Sequence, residues 1–197
     1  DKALELIYSY PGYEGNDDLT RAIERFTQAK ETLVRYPKPE TITHIFFHSL
    51  IADTERAFDG DSKEDGYNLY MTTVEEFKRI LQQMYDRDYV LVNIYDMVKE
   101  VTLEDGSKKF VEGDIMLPEG KTPFVMSQDD VNYYEYMVDS DGDRLADAGG
   151  DGFATKIVLG EDGYPTCEYI TKDGLVVTGD YDLVPILEDF IQEHPDF

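Results

Sequence analysis

Pro123-Phe124-Val125-Met126-Ser127-Gln128-Asp129-Asp130 is a short apolar run closed by two carboxylates. The pattern predicts a strand over 122–127. Neighbouring side chains on extended backbone point to opposite faces, but where a strand bends into a loop both can converge on one cavity. One carboxylate can then bind a divalent ion while the other handles a proton of bound water, whose pKa the metal lowers toward neutrality. The aromatic stretch Val131-Asn132-Tyr133-Tyr134 follows directly.

Outward from this strand, apolar strands alternate with amphipathic helices. Leu19, Ala22, Ile23, Phe26 and Leu33 recur at helical spacing and predict a helix over 18–35, stopped by Pro37 and Pro39. Thr41 to His48 reads as a buried strand. The polar segment 53–70, with Gly60 and Gly66, reads as an exposed loop. Thr72 or Thr73, each three residues before a glutamate, opens a helix over about 73–87 carrying Phe77, Ile80, Leu81, Met84 and Tyr85. Tyr89 to Ile94 follows as a strand.

Asp105-Gly106 marks a hairpin within 98–114, and Asp162-Gly163 marks another between 154–159 and 164–170. Leu183, Ile186, Leu187, Phe190 and Ile191 predict a last helix over 181–193, with Asp180 as its cap and Pro185 in its first turns. The order of strands and helices points to an α/β layer or barrel.

The 197 residues suit one domain, with or without a small appendage, and 41% are hydrophobic, enough for a core. Against 18 basic residues stand 43 acidic ones, a formal charge of −25, which repels phosphate backbones and anionic lipids. Nucleic acid is therefore not an expected partner. Clustered carboxylates suit hard cations instead. No transmembrane segment is present, since no stretch approaches 18 apolar residues. Cys167 has no partner for an internal disulfide and reads as a small buried hydrophobe. The start at Asp1 reads as a processed or cloned fragment.

His44 and His48 stand four apart, but on a strand they lie about 13 Å from each other and do not share a metal. His48, at the strand end, falls where α/β architectures gather functional loops. His194, in the final turn of a helix, is explained by the helix dipole. The stretch Asp139-Ser140-Asp141-Gly142-Asp143-Arg144-Leu145-Ala146-Asp147 alternates carboxylates around a glycine, as an oxygen-ligand calcium loop requires. It resembles the calcium repeat of thrombospondin type 3 modules, with Arg144 where glycine is usual. That resemblance makes Asp139, Asp141, Asp143 and Asp147 side-chain ligands and Leu145 a carbonyl donor. A solvent-facing acidic turn is the other reading. Nucleotide-binding Gly-rich loops and the serine-hydrolase elbow are absent.

Three ordered blocks resemble the polysaccharide deacetylase family, also called the NodB-homology or carbohydrate esterase family four group. They are Ile45-Phe46-Phe47-His48-Ser49-Leu50, then Met71 to Phe77 with Leu81 to Ile94, then Pro123 to Asp130. The resemblance implies a partial or distorted (β/α) barrel over 41–197, preceded by a helical extension over 1–40 and interrupted by inserted hairpins at about 98–114 and 135–178. It implies hydrolysis of acetyl groups from an acetylated polysaccharide or cell-wall glycan. Asp129 would be the catalytic base, Asp130 a ligand of zinc or a similar divalent metal, and His48 a supporting residue.

Ser127-Gln128 departs from the family's Thr-Phe, and the family's two later metal histidines have no counterpart after Asp130. The chain is therefore expected to be the N-terminal portion of a secreted or bacterial cell-surface enzyme, and inactive or very weak as it stands. Exposed strand edges would favour an oligomer. The alternative is a non-catalytic carbohydrate- or surface-binding module, with Tyr133, Tyr134 and Tyr136 as stacking platforms and calcium ordering 139–147. A third option is a structural protein whose acids keep it in solution.

Overall fold

In the computed structural model residues 2–131, 133–143 and 145–197 are described, apart from the side chain of Lys2. Along the chain run α1 (Lys2–Ser9), α2 (Asp17–Glu31), β1 (Leu33–Arg35), β2 (Thr43–Phe47), α3 (Thr54–Ala57), α4 (Glu64–Tyr70), α5 (Val74–Tyr85) and β3 (Tyr89–Leu91). Then follow β4 (Val98–Thr102), β5 (Lys108–Glu112), β6 (Met116–Pro118), β7 (Thr122–Gln128), α6 (Glu135–Val138), β8 (Lys156–Leu159), β9 (Pro165–Ile170), β10 (Val176–Gly179) and α7 (Leu183–Glu193). The fold is mixed α/β. Among the described residues the strands form four separate sheets of two or three strands, and none closes into a barrel. No helix among them is long and apolar enough to cross a membrane.

The chain divides into two compact units. The smaller combines the segment ending at Ile42 with Val92–Lys121. Within it β1 pairs antiparallel with β6, Leu33 opposite Pro118 and Arg35 opposite Met116. This pairing also ends α2 at Glu31, short of the expected 35, because the chain turns extended and Tyr36 N donates to Ile115 O. Asn16 caps α2, its side chain accepting from the amides of Asp18 and Leu19. The first residues, with the helix formers Ala3, Leu4, Glu5 and Leu6, form α1. The hairpin β4–β5 has the expected place and turn, with Gly106 at φ 80° where a side chain would strain the backbone. Lys99 and Arg35 both donate to Asp114 and hold its carboxyl below the usual range.

The larger unit comprises Thr43–Leu91 and Thr122–Phe197. Its parallel sheet has the order β2-β7-β3, with β7 central. Adjacent residues Phe124 and Val125 are both buried, so β7 is covered on both faces. The expected buried strand at 41–48 is instead an edge strand: β2 alternates exposed and half-buried residues, and Phe46 is 57% exposed. His44 sits on it with Nε2 2.8 Å from Ser127 Oγ.

Helices α5 and α7 cover the Phe124 face. Thr73 and Glu76 form the capping box of α5, which presents Phe77 and Leu81 one turn apart. From α7 come Leu183 and Ile186, and Phe197 closes the same cluster. The helix α7 begins at Leu183, and its N-cap position is Asp182 rather than the expected Asp180. Burial and the neighbouring Asp189 push the Asp180 carboxyl up. His194 packs against the rings of Tyr85 and Phe190.

The expected loop at 53–70 contains α3 and α4, which bury Ala57 and Tyr67 in a second cluster with Ile51, Met137, Val138 and Phe153. Their short length, with Gly60 and Gly66 and many charged residues in the segment, hides their periodicity. The predicted hairpin at 154–170 is β8–β9, extended by β10 into an antiparallel meander.

Candidate functional site

Parallel pairing of β2 with β7 carries both chains off the same edge of the sheet, Phe47 lying opposite Gln128. In open α/β sheets ligands bind outside the carboxyl ends of the parallel strands. A cavity of ≈ 360 Å³ lies there. The exit of β2 gives it His48 and Ser49, the end of α4 gives Tyr70 and Met71, and the exit of β7 gives Asp130. Tyr134, Tyr136 and Met137 complete it from the start of α6.

The acidic pair is split. The Asp129 amide donates to Phe47 O at 2.8 Å, extending the β2–β7 ladder by one residue. Its exposed side chain is not part of the cavity lining. Asp130 turns into the left-handed region at φ 55° and does line the cavity. Aspartate is among the few non-glycine residues that enter this region readily. His48 Nδ1 lies 3.2 Å from Tyr70 O. A carbonyl only accepts, so Nδ1 carries the proton, and in the neutral ring Nε2 is the acceptor.

Of the three tyrosines expected as platforms, Tyr134 and Tyr136 line the cavity and Tyr133 does not. The first two stack with centroids 5.6 Å apart and planes at 21°. That separation exceeds the contact spacing of about 3.5–4 Å, so the rings are displaced sideways and form a platform wider than one ring. Tyr70 and Tyr136 are 67% and 54% exposed. Partial burial, then the nearby charge of Asp130, raise the Tyr136 phenol pKa.

Tyr133, at φ 44°, serves the support beneath. Its hydroxyl donates to Asp182 Oδ2 at 2.5 Å, and Gln128 Nε2 donates to the same oxygen at 2.8 Å. The amide of Leu50 donates to Asp182 Oδ1 at 2.8 Å. Asp182 is fully buried. One carboxylate therefore ties together the stretches next to Ser49, Asp130 and Tyr134, leaving the end of α4 as the part of the cavity lining it does not hold. Tyr133 also lies 3.8 Å from Cys167 Sγ. Burial and the charge of Asp182 raise the Tyr133 phenol, and burial pushes the Cys167 thiol up to about 11. The Oε1 of Gln128 is buried without a hydrogen-bond partner among the described residues.

A second buried carboxylate, Asp151, accepts from Tyr67 OH at 2.5 Å and Lys63 Nζ at 2.7 Å, and Lys63 also donates to Tyr136 O at 3.0 Å. No sequence signal marked Asp182 or Asp151, because each is one aspartate among many. Tyr70 went unmarked because 53–70 read as loop. The Tyr67–Tyr70 spacing, one helical turn, was the trace available.

The acidic loop brings Asp139, Asp141 and Asp147 together, each offering a carboxylate oxygen within 4.8 Å of the others. This cluster could coordinate a divalent ion. It is half-buried to exposed and contains no histidine. Asp143 stands outside it and accepts from the Leu145 amide at 2.8 Å, while Leu145 itself is 67% exposed. Arg144 lies outside the described residues, as does Asn132. Asp139 Oδ1 accepts from the amides of Asp141 and Gly142. The Ser140 hydroxyl and amide and the Gly149 amide hold the Asp147 carboxyl below its usual range.

The residues of the cavity do not fit the metal centre that the deacetylase resemblance implies. Asp130 and His48 offer two ligands, and among the described residues the group of three or more close ligand residues is the one in the acidic loop. Comparison with protein-family models, with curated proteins and with solved structures finds no match to this chain.

Proposed function

We propose that the cavity at the carboxyl end of the parallel sheet binds a glycan chain. The offset Tyr134–Tyr136 pair offers its faces to the apolar C–H faces of sugar rings, and Asp130 and His48 accept from sugar hydroxyls. The observation that carries this reading is the meeting of two stacked tyrosines, a carboxylate and an oriented imidazole in one ring-sized cavity. Its test is calorimetry with oligosaccharides of cell-wall type. Tyr134→Ala and Tyr136→Ala are each expected to weaken binding about tenfold. Leu159→Ala, on an exposed strand end, should leave it unchanged. Tyrosine variants that bind as tightly as the parent chain would remove the platform.

A second reading, hydrolysis of acetyl groups by a longer deacetylase, is favoured by the parallel β2–β7 edge that carries His48 and Asp129-Asp130 together. In it Asp129 is the base and the three parallel strands are part of a distorted barrel. The incomplete ligand set keeps it second, and acetate release from acetylated chitin oligomers by this chain would reverse the order.

The acidic loop adds calcium to the first reading. Hard carboxylate oxygens suit this ion. Millimolar calcium, at roughly ten times the dissociation constant, is expected to raise the melting temperature by about 3–5 °C. Asp141→Asn should abolish the rise. A flat thermal response with no calorimetric heat would leave the loop as an acidic turn. Glycan and weak calcium binding both suit an extracellular or cell-surface setting.

A further inference from the structure

The charge around the cavity is one-sided. Among its lining residues Asp130 is the acid and no lysine or arginine is present. Lys63, which reaches the Tyr136 carbonyl, is engaged by Asp151 at 2.7 Å. Three phenol rings, Tyr70, Tyr134 and Tyr136, surround the same space. The negative face of an aromatic ring attracts a cation within about 6 Å of its centroid. Tyr134 and Tyr136 stack on one another, so a cation meets an outer face of the pair rather than the space between its rings. The net charge of −25 adds a long-range field that draws cations and repels anions.

We infer that the cavity selects a ligand bearing an ammonium group, held against the tyrosines that line it and countered by Asp130. Resting on the glycan reading above, the expected form is an amino sugar with a free amine rather than an N-acetylated one. A quaternary ammonium headgroup shares the chemistry from another source.

Calorimetry with a glucosamine tetramer, its fully N-acetylated counterpart and choline separates these cases. The free-amine tetramer is expected to bind about tenfold more tightly than the acetylated one. Asp130→Asn should bring the two to equal affinity. Asparagine tolerates φ 55° as aspartate does, so this exposed variant keeps the backbone, and an unchanged melting temperature verifies it. If choline binds, and loses affinity in both Asp130→Asn and Tyr134→Ala, while neither tetramer does, the ammonium inference stands and the glycan reading falls. Equal or tighter binding of the acetylated tetramer overturns the inference and leaves the glycan reading intact. Absence of binding by all three overturns both.

Discussion

Replacing Asp182 by alanine is expected to lower the free energy of unfolding by about 3–5 kcal/mol, because it strands three buried or half-buried donors at once. The Leu50 amide, the Gln128 side-chain amide and the Tyr133 hydroxyl all converge on this carboxylate. An unmatched buried donor retains its full desolvation penalty, whereas removing donor and acceptor together is much milder. Tyr133→Phe, which deletes one donor and keeps the ring, is therefore expected to cost only about 1–2 kcal/mol. Asp182→Asn should lie between. Its amide nitrogen would meet the Gln128 amide, but that side chain can reverse and offer the Oε1 that is otherwise unpartnered. Urea unfolding of the four proteins measures the series. A loss for Asp182→Ala no larger than that of exposed Asp173→Ala would show that the carboxylate carries no weight. Because Asp182 joins the stretches next to Ser49, Asp130 and Tyr134, the alanine variant should also lose ligand affinity while still folded at low temperature.

Phe124→Ala should destabilise to a comparable degree, about 3–5 kcal/mol. The ring is fully buried on the central strand, 5.5 Å from the Phe197 ring and 6.2 Å from that of Tyr89, centre to centre. Helices α5 and α7 close over the same cluster and hold the surrounding volume open, so collapse around a missing ring is limited. Phe124→Leu fills most of the space and should cost less than half as much. A loss below about 1.5 kcal/mol for the alanine variant, read from denaturant midpoints at constant slope, would place the core elsewhere.

The parts of the fold that were legible in the sequence are those whose signals are local. Thr73 and Glu76 announce α5 because a capping box needs residues only three apart, and Phe77 and Leu81 then show its buried face. The Asp-Gly pairs at 105–106 and 162–163 announce hairpins because the turn itself selects them. What the sequence concealed depends on partners far along the chain. Leu33-Val34-Arg35 continues a helical pattern, but pairing with β6 pulls it into extended form. At the cavity, Asp130, His48, Tyr134 and Tyr136 stand out in the sequence by residue type and setting, and they meet there. The different fates of Asp129 and Tyr133 were not visible, since they turn on one backbone reversal at Asp130 and one buried hydroxyl bond. Nothing local distinguishes Asp182 from the other acids, because its importance comes from Leu50, Gln128 and Tyr133.

The antiparallel pairing of β1 with β6 has a consequence for how the polypeptide assembles itself. In an open chain, bringing Leu33 to Pro118 closes a loop of roughly 85 residues. Once Thr43 lies beside Phe124, the same contact needs only the two flanking tethers, about 16 residues in all. The shorter closure saves about 1.5 kcal/mol of chain entropy. The two-stranded ribbon is thus entropically cheap only after the parallel strands have met, so connectivity alone writes an order of events into this chain, parallel strands first and ribbon second.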